Sequence, residues 1–200
     1  MSEQRPLSVE AADAGRAEIY LLLGTLLFAP PDEAILDMLQ EIDAGDAEPT
    51  PMTQIWRSLQ AAARQTDPEQ LSDEFFNLFI GLGRGELVPY ASYYLHGFLM
   101  EKVLASLRNE LKTLGFERRE GVSEPEDHIA ALCETMGMII SESGLSYEEQ
   151  SDFFRTYLAG WAMDFFTDLR EAESAVFYKA VAQLGQQFME IESQYLSMPA

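Results

Sequence analysis

The sequence predicts an all-α protein, a helical bundle in two lobes, and three observations carry that prediction. Apolar residues recur at three- to four-residue spacing along most of the 200 positions, the period of a helix with one buried face. Start signals stand where several of these patterns begin, above all Asp67-Pro68-Glu69-Gln70 and Ser146-x-x-Glu149, whose side chains suit the free N–H groups of a first turn. No convincing strand pattern and no internal repeat interrupts them. A hydrophobic content of 47% excludes a disordered chain, and the length suffices for one core or for two small lobes sharing one.

The elements follow in order. Ser8 caps a first helix to about Phe28, with Ile19, Leu22, Leu23, Leu26 and Leu27 on its apolar face. Pro30-Pro31 stops it, and Pro31 opens a second helix carrying Ile35, Met38, Leu39 and Ile42. Residues 43–51, with Gly45, Pro49 and Pro51, form a loop before a third helix through Ile55, Trp56 and Leu59. A fourth begins at Asp67-Pro68 and carries Leu71, Phe75, Leu78 and Phe79. After the glycine-rich loop 81–89, Pro89-Tyr90-Ala91-Ser92-Tyr93-Tyr94 leads into a long helix toward Leu114, ended by Gly115. Residues 116–126 are the linker, rich in charged and turn-forming residues, between lobes at 1–115 and 127–200. Three further helices are expected at about 127–143, 146–168 and 173–197.

The net charge of −21 bounds the partners. Nucleic acid is excluded, because binding it requires Lys and Arg to neutralise phosphates. Stable insertion into a membrane is excluded too: the apolar run 19–29 is too short to span a bilayer, and anionic lipid attracts basic segments. A cationic peptide would be drawn in by the field, although acidity also serves plain solubility. The single Cys133 forms no internal disulfide and reads as packing. With no secretory signal evident, the expected location is the reducing cytoplasm.

Candidate chemistries narrow quickly. His96 and His128 lack the Glu-x-x-His spacing of di-iron bundles, and no zinc pattern is present, so no metal and no cofactor are expected. Gly81-Leu82-Gly83-Arg84-Gly85 has glycines without a Lys-Ser/Thr pair and follows a helix rather than a strand, so it reads as a connection rather than a phosphate loop. Phe154, Tyr157, Leu158, Trp161 and Phe165 form an aromatic stripe at helical spacing, the pattern of a core and also of an adaptable peptide groove. Glu124-Pro125-Glu126-Asp127-His128 places three carboxylates, a rigid proline and a histidine at the junction between the lobes. Ser123 or Asp127 can cap the following helix there, while the acidic group as a whole suits a cationic ligand.

Four stretches, in order along the chain, carry a resemblance. They are Tyr20-x-x-Leu23 through Leu27-Phe28 with Pro30-Pro31; Pro89-Tyr90-Ala91-Ser92-Tyr93-Tyr94; Glu124-Pro125-Glu126-Asp127-His128-Ile129; and Leu158-x-x-Trp161-x-x-x-Phe165. Together the chain resembles the TorD/DmsD-type cytoplasmic chaperones that mature molybdenum-containing oxidoreductases, with nitrate-reductase assembly chaperones as cousins. The Glu-Pro-x-Asp-His hinge is the most specific of the four. Members often carry histidine where this sequence has Tyr157, which puts any role of that histidine in doubt here.

The resemblance implies a TorD-like two-lobed fold and a non-catalytic role. The partner is then the precursor of a molybdoenzyme catalytic subunit, bound through its twin-arginine signal peptide until the molybdopterin cofactor is inserted. Glu124, Glu126 and Asp127, with Pro125 and His128 beside them, would meet the arginines. Tyr90, Ser92, Tyr93, Tyr94 and Trp161 would line the place of the apolar part. Two other readings stay open: a small acid–base enzyme using His128 with Glu124 or Asp127, and an acidic helical adaptor for a basic protein. Monomer and lobe-exchanging dimer are both compatible with the pattern.

Overall fold

The fold is all-α. The structure, a computed structural model, describes residues 9–43, 50–97, 101–116, 124–141 and 145–198. Among these residues lie ten α-helices and one π-helical turn, with no strand beyond an isolated bridge. The helices are α1 (Val9–Phe28), α2 (Glu33–Glu41), α3 (Pro51–Gln65), α4 (Pro68–Phe75), α5 (Ala91–His96), α6 (Glu101–Thr113), α7 (Ile129–Ser141), α8 (Tyr147–Tyr157), α9 (Ala162–Glu171) and α10 (Tyr178–Tyr195). The π-helical turn Phe76–Ile80 continues α4 and closes with Gly81 N–H donating to Phe76 O at 2.7 Å.

Local signals set most starts. Asp67 accepts from the N–H groups of Glu69 and Gln70, and Ser146 with Glu149 forms the expected capping box. Thr50 with Thr53 caps α3 in the same way. Asp32, one residue beyond Pro31, caps α2 by accepting from Ile35 N–H. The expected cap at Ser8 lies outside the described residues, as do 117–123 of the expected linker.

Three expected helices are revised. The helix toward Leu114 is interrupted: α5 ends at Gly97, whose φ of +80° a side chain would strain, and α6 begins at Glu101. Gly115, φ +83°, does end α6. The helix expected at 146–168 breaks at 158–161, and that break turns Trp161 inward, 2% exposed, with Nε1 donating to Tyr157 O at 2.7 Å. The last helix starts at Tyr178 rather than 173, because two carboxylates from elsewhere hold the preceding turn. Glu86 accepts from Glu173 and Ser174 N–H, and Glu74 accepts from Val176, Phe177 and Tyr178 N–H.

The core is continuous across the 116–126 segment. Helix α1 packs along α7, and α10 packs on α9 and α3. Tyr20, Leu23, Leu26 and Leu27 of α1 bury with Leu132, Cys133 and Met136 of α7 and Phe188 of α10. Burial pushes the Cys133 thiol up to about 12, which leaves it protonated and inert at neutral pH. Among the described residues no helix is long and apolar enough to cross a membrane.

Candidate functional site

The elbow is a joint between two short segments distant in sequence. Ala91 N–H donates to Asp127 O at 3.0 Å, and Ile129 N–H donates to Pro89 O at 2.9 Å. These bonds make an isolated antiparallel bridge between Tyr90 and His128. The Asp127 side chain completes it: Oδ2 accepts from Ser92 N–H at 3.0 Å, satisfying a free donor in the first turn of α5. The proline at 125 accepts from His128 N–H through its carbonyl at 3.1 Å, closing the turn into α7.

His128 faces inward. Its Nδ1 accepts from Ala130 N–H at 3.1 Å, and its ring meets Tyr90 edge-on with centroids 5.1 Å apart. Burial lowers its pKa to about 4, outweighing the opposite pull of Glu124 and Asp127. The imidazole is therefore neutral at pH 7, with one nitrogen already engaged. An unfolded chain would bind a proton near the ordinary 6.5, so between about 4 and 6.5 the unfolded state holds more protons than the folded one. Stability should rise with pH through that window and fall as acid is added. Denaturant titrations at pH 7 and 4.5 should lose about 2–3 kcal/mol less in His128→Gln than in the parent; equal losses would contradict a buried neutral ring.

The two outer carboxylates differ. Glu124 is exposed and accepts from Tyr90 OH; burial, then this bond, hold the Tyr90 phenol well above its usual range. Glu126 is half-buried and takes a fork from Arg108, with Nε at 3.0 and 2.9 Å and a terminal nitrogen at 2.8 Å. Beside the joint, Tyr93 and Tyr94 lie half-buried on α5, ring centroids 6.0 Å apart. Tyr94 stacks toward Trp161 at 5.4 Å and donates to Asp168 Oδ2 at 2.9 Å.

Of the residues expected at the site, the structure gathers Tyr90, Ser92, Asp127 and His128 into the joint and stacks Tyr94 on Trp161. Four of them lie inward. Ser92, Asp127, His128 and Trp161 are buried: Asp127 Oδ2 and His128 Nδ1 accept backbone N–H groups and Trp161 Nε1 donates to Tyr157 O, while Ser92 Oγ and Asp127 Oδ1 have no hydrogen-bond partner among the described residues. The four support the surface that Glu124, Pro125, Glu126, Tyr90, Tyr93 and Tyr94 form. Acid–base work by His128 with Glu124 or Asp127 is likewise set aside, since the ring is buried and His128 Nδ1 is bonded to backbone. Arg84, in the glycine-rich loop, and Arg108, Asp164 and Asp168, exposed between apolar helical positions, carry no local signal of their neighbours in the sequence. Among the described residues no group of three or more His, Cys, Asp or Glu side chains is disposed to hold a metal. A surface cavity of about 490 Å³ lies elsewhere, lined by Tyr147, Ser151, Phe154, Leu196 and Met198 among others, and shares no residue with the elbow.

Residues 46–167, which include the elbow, match the family described as nitrate reductase delta subunit. The chain is 27% identical to the chaperone protein TorD of Vibrio parahaemolyticus, with 94% of this chain and 97% of that one covered. It is 26% identical to TorD of Vibrio vulnificus over the same shares. A crystal structure from Archaeoglobus fulgidus, provisionally described as a redox enzyme maturation protein, superposes with a TM-score of 0.60 at 21% identity, covering 94% of this chain and 98% of that one. That likeness concerns the fold. With the matched segment spanning more than half of its length, the chain belongs to the nitrate reductase delta subunit family, the family of the TorD-type chaperones.

Proposed function

We propose that this chaperone of molybdoenzyme maturation binds the twin-arginine signal peptide of a molybdenum-containing oxidoreductase precursor in the cytoplasm and holds the precursor until its cofactor is inserted, before export. The observation that carries the reading is Glu124, an exposed carboxylate held by Tyr90 at the rim of a rigid joint, in a chain of net charge −21 whose relatives are named TorD chaperones. An arginine of the peptide would dock on Glu124 by charge-assisted hydrogen bonds. The following apolar segment would lie over Tyr94 and the exposed Leu95. Charge supplies orientation and speed of encounter, while apolar burial supplies most of the affinity.

A fluorescent peptide copied from a twin-arginine signal tests this by anisotropy. Affinity is expected to fall as salt rises, and to fall about two- to fivefold in Glu124→Gln, which keeps an acceptor for Tyr90. Binding that ignores both salt and Glu124→Gln removes the elbow as the cationic site.

A further inference from the structure

We infer that Tyr93 is a seat for a guanidinium group, occupied in the resting chain by Arg84 and surrendered to an arginine of the bound peptide. This goes beyond the function proposed above and rests on it for the identity of the peptide. Arg84 is exposed. Its terminal nitrogen donates to Tyr93 OH at 2.7 Å, and its Cζ lies 5.1 Å from the centroid of the same ring, within the range of a cation–π contact.

The loop is built to put it there. Gly81 has φ +61° and Gly83 φ +96°, and a Cβ at Gly81 would stand 2.0 Å from Arg84 O. Gly85 is buried, where a Cβ would meet the Phe79 backbone at 2.5 Å. Glu86 and Leu87 N–H then bond back to Asn77 and Leu78 O at 3.0 and 2.8 Å. Only glycine allows so tight a return, and the return fixes the Arg84 backbone beside α5.

The partner chosen is the informative part. Arg16, Arg108 and Arg155 each hold a carboxylate and Arg64 reaches a backbone carbonyl, in a chain with 34 acidic residues. Arg84 instead holds a neutral phenol, a partner easily exchanged. Beside the seat stands Tyr94, ring centroids 6.0 Å apart, which donates to the Asp168 carboxylate of α9. An aromatic face with a hydroxyl acceptor at its edge suits a planar guanidinium better than the compact ammonium of lysine. A ligand arginine must displace Arg84, so its apparent affinity is reduced by the fraction of seats that Arg84 holds.

Two titrations of the full-length protein test the inference. N-acetyl-arginine amide, followed by the ring resonances of Tyr93 and of the adjacent Tyr94, should bind Arg84→Ala saturably, about three- to tenfold more tightly than the parent. It should not bind Arg84→Ala/Tyr93→Ala, and N-acetyl-lysine amide should bind Arg84→Ala more weakly. Absence of a saturable shift in Arg84→Ala, or equal response to both amides, overturns the seat. Twin-arginine peptide should also bind Arg84→Ala more tightly than the parent. If the amide result holds while the peptide binds neither protein, the seat stands and the proposed client fails; if the peptide binds the parent and Arg84→Ala equally, displacement of Arg84 is refuted.

Discussion

Glu192→Ala is expected to cost about 3–5 kcal/mol of folding stability, the range for removing one partner of a buried ion pair. Glu192 is fully buried on α10, and its two oxygens take Nε and a terminal nitrogen of Arg16 on α1 at 2.7 and 2.9 Å. Asp13 and Gln150 accept from the remaining guanidinium nitrogen at 2.8 and 3.1 Å, and the Tyr195 ring covers the guanidinium, 4.4 Å from Cζ to centroid. Burial alone would lower the Arg16 pKa; Glu192 and Asp13 outweigh it and hold the group firmly charged. Alanine at 192 would remove the fully buried carboxylate and leave the guanidinium to the part-exposed Asp13. Urea unfolding measures the loss, and the paired change Arg16→Leu/Glu192→Leu should lose clearly less, since it strands nothing. A loss below about 1 kcal/mol in Glu192→Ala would contradict the network.

Glu74→Ala should cost about 2–4 kcal/mol, because it uncovers three donors at once. Glu74 Oε1 accepts from Val176 and Tyr178 N–H at 2.7 and 2.8 Å, and Oε2 accepts from Phe177 N–H at 3.1 Å. Helix α10 starts with no side-chain cap of its own, so this carboxylate from α4 acts as the cap and complements the positive helix end. Hydrogen exchange at the amides of 176–178 should quicken in Glu74→Ala and much less in Glu74→Gln, which retains an acceptor. Unchanged protection in Glu74→Ala would show that the contact carries no load.

Local chemistry was legible in the sequence and distant pairing was not. The caps at Asp67 and Ser146 could be read because cap and recipient lie within three residues. The burial of Leu23, Leu26, Leu132 and Phe165 followed from helical spacing alone. The break at 158–161 arises because Leu158, Trp161 and Phe165 all turn into one core, which an uninterrupted periodic pattern does not announce. The sequence offers Asp127 as a cap for the following helix or as an acid for the peptide's arginines; its acceptor role depends instead on Ser92, 35 residues away. Glu74 and Arg16 reach partners more than 100 residues distant, and no window of sequence contains both. Within the candidate site, the motif located the elbow, whereas the division between buried supports and exposed rim needed the fold.

The proposed function requires Glu124 to meet an arginine of a basic–apolar leader at this elbow. A double-mutant cycle tests it most directly, pairing Glu124→Gln with replacement of the peptide's two arginines by glutamine. Coupling is expected: each change alone weakens binding, and Glu124→Gln costs little once the arginines are gone. Fully additive losses would show that leader arginines and Glu124 do not touch, and would remove the elbow as their docking site.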